Sequence, residues 1–298
     1  MSLIHRHSCP VCGSTDIHTA LEARDHTVSG ETYSIWECGS CHLRFTQDVP
    51  DETSIAPYYQ SDAYVSHSDT RRGLVNAVYH QVRRITLQGK RSWVEKETAC
   101  KNGDLLDIGA GTGAFLQAMR EAGWRVTGLE PDAGARETAR RNHGLDLLPS
   151  HELYSLPENA YDAITLWHVL EHVHDLHGYM DRFHALLRNK GKLFLALPNY
   201  LSADAQSYGS AWAAYDVPRH LYHFSPQALS RLLSLHGFRL SGMKPMWFDP
   251  FYISMLSETY RKGRANHPGA LLKGLQSSWS TLQSVEKASS ITYIAEKG

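Results

Sequence analysis

Between Asp104 and Leu197 the hydrophobic period of this chain changes repeatedly, and that alternation limits the folds open to it more than any other feature. The short apolar runs DLLDI, RVTGL and DAITL are each followed by a stretch whose apolar residues recur three and four positions apart. A strand covered on both faces reads as a near-continuous apolar run, and a helix lying on it shows the longer period. Alternation of the two predicts an α/β fold: a mostly parallel, Rossmann-like sheet with right-handed crossovers. Strands are expected at 104–108, 125–129, 145–148, 160–166 and 192–197, with helices at 114–122, from 133, and at 176–187. Two later strands, 238–243 and 291–295, would bring the sheet to seven. A ligand in such a sheet sits beyond the carboxyl ends of the strands, near the first crossover.

The N-terminal part obeys a different rule. Cys9-Pro-Val-Cys12 and Cys38-Gly-Ser-Cys41 form two C-x2-C pairs, each able to make a tight knuckle presenting two sulfurs to one tetrahedral Zn2+. Strand-like segments at 17–20 and 33–37, joined by a polar turn at Ser29-Gly30, complete a small zinc ribbon. With all four ligands from protein, the ion has no open position for water and would be structural. The fifth cysteine, Cys100, reads as a packing residue. The opening MSLIHRHSCP lacks an apolar signal core and no run of about 18 apolar residues exists, so a cytoplasmic location without a membrane span is expected. Lys plus Arg total 30 against 31 Asp plus Glu, a balance that disfavours nucleic acid as a partner.

From 55 to 69 the chain is rich in Tyr and turn formers, after which Leu74, Val78, Val82, Ile85 and Val94 recur at helical spacing. The expected organisation is therefore a ribbon at 1–48, a connector with one or two helices at 49–99, and a catalytic domain at 100–298.

Asp107-Ile-Gly-Ala-Gly-Thr-Gly113 joins the first strand to the first helix. A dinucleotide turn would place its third glycine where Ala114 stands. Instead, LLDIGAGTGAF resembles the first motif of class I S-adenosylmethionine-dependent methyltransferases. That resemblance implies that Gly109, Gly111 and Gly113 let the backbone approach the cofactor, while Asp107 organises its ammonium group directly or through water. Glu130, at the end of the next strand in Leu129-Glu-Pro131-Asp, would accept the ribose hydroxyls, with Pro131 beside it. In the family the loop carrying Glu152 faces adenine.

LWHVLEHVHD follows the fourth strand and contains His168-x-x-Glu171-His172. That spacing matches the helical signature of one zinc peptidase class, but here the first histidine leaves a strand, so the peptidase reading fails. The stretch resembles the family's post-strand motif, which implies Trp167 and His168 as pocket residues near the methionine end of the cofactor. Whether Glu171 and His172 also hold a divalent ion stays open at this level. Further on, DVPRHLYHFS (216–225) resembles a feature of a methyltransferase subgroup that also carries an N-terminal zinc segment. His220 and His223 are the predicted acceptor-side bases, with Arg219 and Tyr222 as orienting groups. A helical insertion at about 249–287 would roof the acceptor. The implied activity is methyl transfer to the oxygen or carbon of a small-molecule acceptor, such as a sugar or other secondary metabolite. An RNA or protein methyltransferase docking through its ribbon, or an inactive cofactor binder, would carry the same motifs.

Overall fold

A computed structural model describes residues 2–59 and 74–298. Ser61 and Tyr64 of the tyrosine-rich connector, and the side chains of Leu74 and Val78, lie outside the described residues.

The N-terminal unit consists of β1 (Leu3–Ile4), β2 (Ile17–Arg24), β3 (Thr32–Cys38), β4 (Arg44–Thr46) and β5 (Val49–Pro50). Both C-x2-C pairs sit in the turns that flank this sheet, the first before β2 and the second between β3 and β4. Strand β2 runs longer than the predicted segment because a bulge between Thr19 and Leu21 keeps its inward face in phase with β3. After this unit comes α1 (Leu74–Thr98), whose Val94 is fully buried against the main sheet.

The central unit alternates as expected: β6 (Asp104–Ile108), α2 (Ala114–Glu121), β7 (Arg125–Leu129), α3 (Ala133–His143), β8 (Tyr161–Trp167), α4 (Leu176–Leu186) and β9 (Leu187–Pro198). Local signals start and stop these helices. Asp132 caps α3 by accepting from the Ala135 amide, and Gly144 ends it in the left-handed region. The chain continues through α5 (Ala203–Tyr208), β10 (Tyr222–His223), α6 (Pro226–Leu235), β11 (Phe238–Pro245), α7 (Asp249–Lys262), α8 (His267–Gln283) and β12 (Ser290–Lys297).

The main sheet has the order β11-β12-β9-β8-β6-β7, with β12 antiparallel to both neighbours and the others parallel. Among the described residues this sheet has six strands rather than seven. The expected strand at 145–148 shrinks to a single bridge, Leu129 to Leu148, because Pro149 follows at once and has no N–H to continue the ladder. Leucines of β6, β8 and β9 fill the core, Leu106, Leu166 and Leu195 being essentially inaccessible to solvent.

The ribbon is not a separate appendage. Strand β4 pairs with β10, placing Tyr222 opposite Phe45 and His223 opposite Arg44. The ribbon and the DVPRHLYHFS segment therefore share one four-stranded sheet, β10-β4-β3-β2. Ribbon side chains Val11, Leu43 and Phe45 belong to the same apolar core as Leu166 and Leu195.

Candidate functional site

The crossover direction reverses between β7 and β8 on either side of β6, so the carboxyl end of β6 is where a ligand crevice should open. The glycine turn lies there. Gly111 has φ of 54°, and a Cβ added to it would meet nothing within 4 Å, so this residue needs glycine for its backbone while facing open space. Gly113 serves packing instead, since a Cβ on it would come within 2.9 Å of Leu145.

Two buried carboxylates flank the turn. Asp107 is 1% exposed and accepts from Thr165 Oγ1 at 2.6 Å. Burial raises its pKa to about 7, although Thr165 and the Lys90 ammonium pull the other way. Glu130 accepts from the Gly111 amide at 2.7 Å and from the Asp132 amide at 3.0 Å. Those two bonds fix its carboxylate at the lip of the glycine turn, and Arg136 donates to the Glu130 and Pro131 carbonyls behind it. Glu152 sits on a 3-10 turn after Pro149. Its own amide bonds the Pro149 carbonyl, and its carboxylate accepts from Ser155 Oγ and lies 3.7 Å from His151 Nε2. The backbone and carboxyl atoms at these positions offer acceptors for an ammonium and two hydroxyls, and backbone room for a bulky heterocycle. That donor set fits S-adenosylmethionine.

On the far side of Asp107, Trp167 packs edge-on against Phe115, with centroids 5.2 Å apart, and the Lys90 ammonium lies 4.2 Å from its ring centre. Lys90 went unnoticed in the sequence. Burial lowers its pKa to about 8, against the opposing pull of Asp249 and Asp107. A signal existed: Lys90 falls between Leu87 and Val94 on the apolar face of its helix, where a charge is out of place.

The histidine-rich stretch splits into two groups. His168 takes a left-handed φ of 59°, strained for a side-chain-bearing residue, and this aims its ring at α7. Its Nε2 lies 3.0 Å from Asp249 Oδ2 and its Nδ1 3.5 Å from Glu171 Oε1. Burial disfavours the charged ring, but the two carboxylates outweigh burial and raise its pKa to about 9. At neutral pH His168 is thus an imidazolium with no free lone pair. Asp249, at the start of α7, was also missed, because nothing local links it to a histidine 81 residues away.

His172 faces elsewhere. Its Nδ1 lies 3.0 Å from the Arg219 carbonyl and 3.1 Å from Tyr59 Oη. The His220 ring stacks edge-on to it at 4.6 Å, with His220 Nδ1 2.9 Å from the Ala214 carbonyl. His220 therefore packs against His172, while His223, the other predicted base, lies deeper. The ring is 3% exposed and contacts Thr46 Oγ1 at 3.0 Å inside the β4–β10 junction. Burial lowers its pKa well below the ordinary value, so it is a neutral packing group. Arg219, predicted to orient an acceptor, instead points away from the site. Its guanidinium meets Asp216 and Asp25, and donates to the Tyr58 carbonyl.

The four ribbon cysteines bring one sulfur each within 4.8 Å of the others. Cys9 and Cys41 lie 3.5 Å apart, Cys12 and Cys38 3.6 Å. A tetrahedral zinc with Zn–S bonds of about 2.3 Å requires sulfurs roughly 3.8 Å apart, while a disulfide requires about 2.05 Å. These residues fit a structural zinc ion.

A sequence profile for the methyltransferase domain matches residues 83–241, from within α1 to the middle of β11. Fold, glycine turn and family together identify the chain: it belongs to the class I S-adenosylmethionine-dependent methyltransferases. It is 29% identical over 176 residues to a ubiquinone biosynthesis O-methyltransferase of Bordetella avium, covering 53% of this chain and 71% of that one. A malonyl-[acyl-carrier protein] O-methyltransferase of Serratia marcescens is 32% identical over 124 residues, covering 41% of this chain and 48% of the relative. Among solved structures, magnesium protoporphyrin IX methyltransferase from Synechocystis with bound SAH aligns over 83% of this chain and 100% of its own, with a TM-score of 0.55 at 13% identity. Among the described residues, no helix is long and apolar enough to cross a membrane.

Proposed function

We propose that this chain transfers the S-adenosylmethionine methyl group to an oxygen of a small-molecule acceptor, with Asp107, Glu130 and the glycine turn holding the cofactor and the His220 side of the site receiving the acceptor. The observation that carries this reading is the pair of buried carboxylates flanking the open face of Gly111. Both relatives above are O-methyltransferases by name, which favours oxygen over carbon. The ribbon supports the acceptor segment through the β4–β10 pairing, an arrangement that suits a structural brace better than a detachable docking module. Organisation into a ribbon, a connector and a catalytic domain is part of the same proposal, as is a structural zinc in the ribbon.

In the reaction the acceptor oxygen attacks the methyl carbon in line with the C–S bond. That bond's electron pair would return to sulfur, leaving S-adenosylhomocysteine, and the hydroxyl proton would leave to water on the His220 side of the site. The cofactor supplies the electrophile. The residues supply position and exclusion of water: Trp167 and Phe115 wall the methionine end, and the His168–Asp249 pair ties α7 down over the sheet.

Calorimetry with S-adenosylhomocysteine should show one site per chain. Glu130→Ala removes an ionised acceptor for hydroxyls, and hydrogen bonds to charged groups contribute about 1.5–3 kcal/mol, so affinity should fall roughly 10- to 100-fold. Unchanged affinity would sink the cofactor assignment. A pH dependence follows as well. With its pKa near 7, Asp107 is mostly protonated below that value, whereas an ammonium ligand favours the carboxylate. Affinity should therefore rise with pH up to about 7, by at most tenfold per unit, and then level off. In Asp107→Asn the rise should disappear.

A further inference from the structure

Glu171 is 1% exposed, and neither carboxylate oxygen has a hydrogen-bond partner among the described residues. An ionised carboxylate in that position costs several kcal/mol in desolvation unless something occupies its lone pairs. His168 offers Oε1 an ion-pair contact at 3.5 Å, without the geometry of a hydrogen bond, and does not reach Oε2 as a partner. His172 and His220 lie on the other side. One ligand-capable atom from each of Glu171, His172 and His220 falls within 4.8 Å of the other two.

The two rings are set in the tautomer that a ligand needs. A carbonyl oxygen only accepts, so the Nδ1 atoms that contact the Arg219 and Ala214 carbonyls carry the hydrogen. The position left for a lone pair on each ring is Nε2, and His220 Nε2 also lies 4.0 Å from Asp216 Oδ2. Histidine ligands with Nδ1–H tied to a backbone carbonyl are the usual outer-shell arrangement at metal centres, because that bond fixes both tautomer and ring direction. His168 has both nitrogens facing carboxylates and is excluded as a ligand. It serves as the second-layer cation that steadies Glu171.

We propose that Glu171, His172 and His220 form a binding site for a first-row divalent cation such as Zn2+, Fe2+ or Co2+, separate from the ribbon zinc. Two imidazoles and one carboxylate suit these ions, whereas Mg2+ and Ca2+ prefer oxygen ligands alone. Three ligands from protein leave coordination positions open. Resting on the reaction proposed above, the role of the ion is to bind the acceptor's oxygen: coordination makes a hydroxyl more acidic, so its proton leaves to water while His220 holds the ion. The ligands come from two distant stretches, LWHVLEHVHD and DVPRHLYHFS, which explains why the first motif alone looks like an incomplete metal site.

The test titrates Co2+ into the full chain with its ribbon zinc in place. One further equivalent should bind, with d–d absorption and without a sulfur-to-cobalt charge-transfer band. Glu171→Gln, His172→Gln and His220→Gln should each weaken that binding at least tenfold, with circular dichroism and melting curves establishing that the variants are folded. Because an unpaired buried group is relieved in Glu171→Gln, the two histidine variants provide the independent check on folding. No second equivalent in the unaltered chain, equal binding by the histidine variants, or a cobalt spectrum showing sulfur ligation alone would overturn the site. S-adenosylhomocysteine calorimetry on the same samples tests the methyltransferase reading separately, since cofactor binding can be present with the cation site absent, and the reverse.

Discussion

Cys38→Ser should release zinc and loosen the acceptor side of the molecule together with the ribbon. Cys38 ends β3, is fully buried, and faces Cys12 across the cluster. A structural zinc contributes about 10–16 kcal/mol to small zinc-dependent folds. Here docking of Val11, Leu43 and Phe45 on the larger core offsets part of that loss. What the docking cannot replace is the register of β4, which is anchored between the Cys38–Cys41 knuckle and β10. Elemental analysis should show zinc lost. Hydrogen exchange should accelerate across β2–β4 and at Tyr222 and His223, while β6, β8 and β9 stay protected. Zinc retained at full stoichiometry would move the metal away from the cysteines, and unchanged exchange at Tyr222 would mean that the ribbon does not brace the acceptor segment.

Arg219→Met should be the most destabilising single change in DVPRHLYHFS. The guanidinium is 1% exposed and reaches Asp25 Oδ1 at 3.1 Å, Asp216 Oδ1 at 2.6 Å and the Tyr58 carbonyl at 3.0 Å. It thereby joins the ribbon hairpin, the connector and the acceptor segment at one point. Methionine fills comparable volume but leaves Asp216 without its partner, and breaking a buried pair from one side typically costs about 3–5 kcal/mol. Asp25 is better insured, since the Thr27, Val28 and Ser29 amides also donate to it. Urea unfolding at pH 7 should show the loss. Burial would raise the pKa of Asp25, but the Ser29 and Thr27 amides and Arg219 depress it on balance. A depressed carboxylate contributes stability above its unfolded pKa of about 3.9, and that contribution fades as pH falls through the folded value. The gap between variant and parent should accordingly be full at neutral pH and narrow in strong acid. A gap below about 1 kcal/mol at pH 7 would show that the three segments hold together without this residue.

Both predictions concern the same structural choice. The sequence separates a ribbon from a catalytic domain, and the fold stitches them together through β4–β10 and through Arg219. No local pattern announces either link. Tyr222 and His223 form a two-residue strand, too short for an alternation to be seen, and the partner strand lies some 180 residues earlier in the chain. For the same reason His223 looks like a free base in the sequence and is a packed neutral ring in the fold. Its neighbour His220, three positions away, packs edge-on against His172 instead.

What the sequence determines by itself are the features carried by short-range rules. The alternation of periods requires the α/β sheet; the left-handed turn after β6 requires glycine at 109, 111 and 113; and two C-x2-C knuckles require a shared ligand. Each of these depends on backbone conformation or spacing within a few residues, so it survives without knowledge of the rest. Pairing of side chains across the molecule was decided by tertiary packing alone. LWHVLEHVHD contains three histidines and one glutamate, and nothing in it says that His168 becomes a cation beside Asp249 while Glu171 and His172 turn toward His220. Charge state and ligand geometry depend on which groups from distant elements are brought within about 4 Å, where Coulomb and coordination energies become large. Only the folded sheet brings them there.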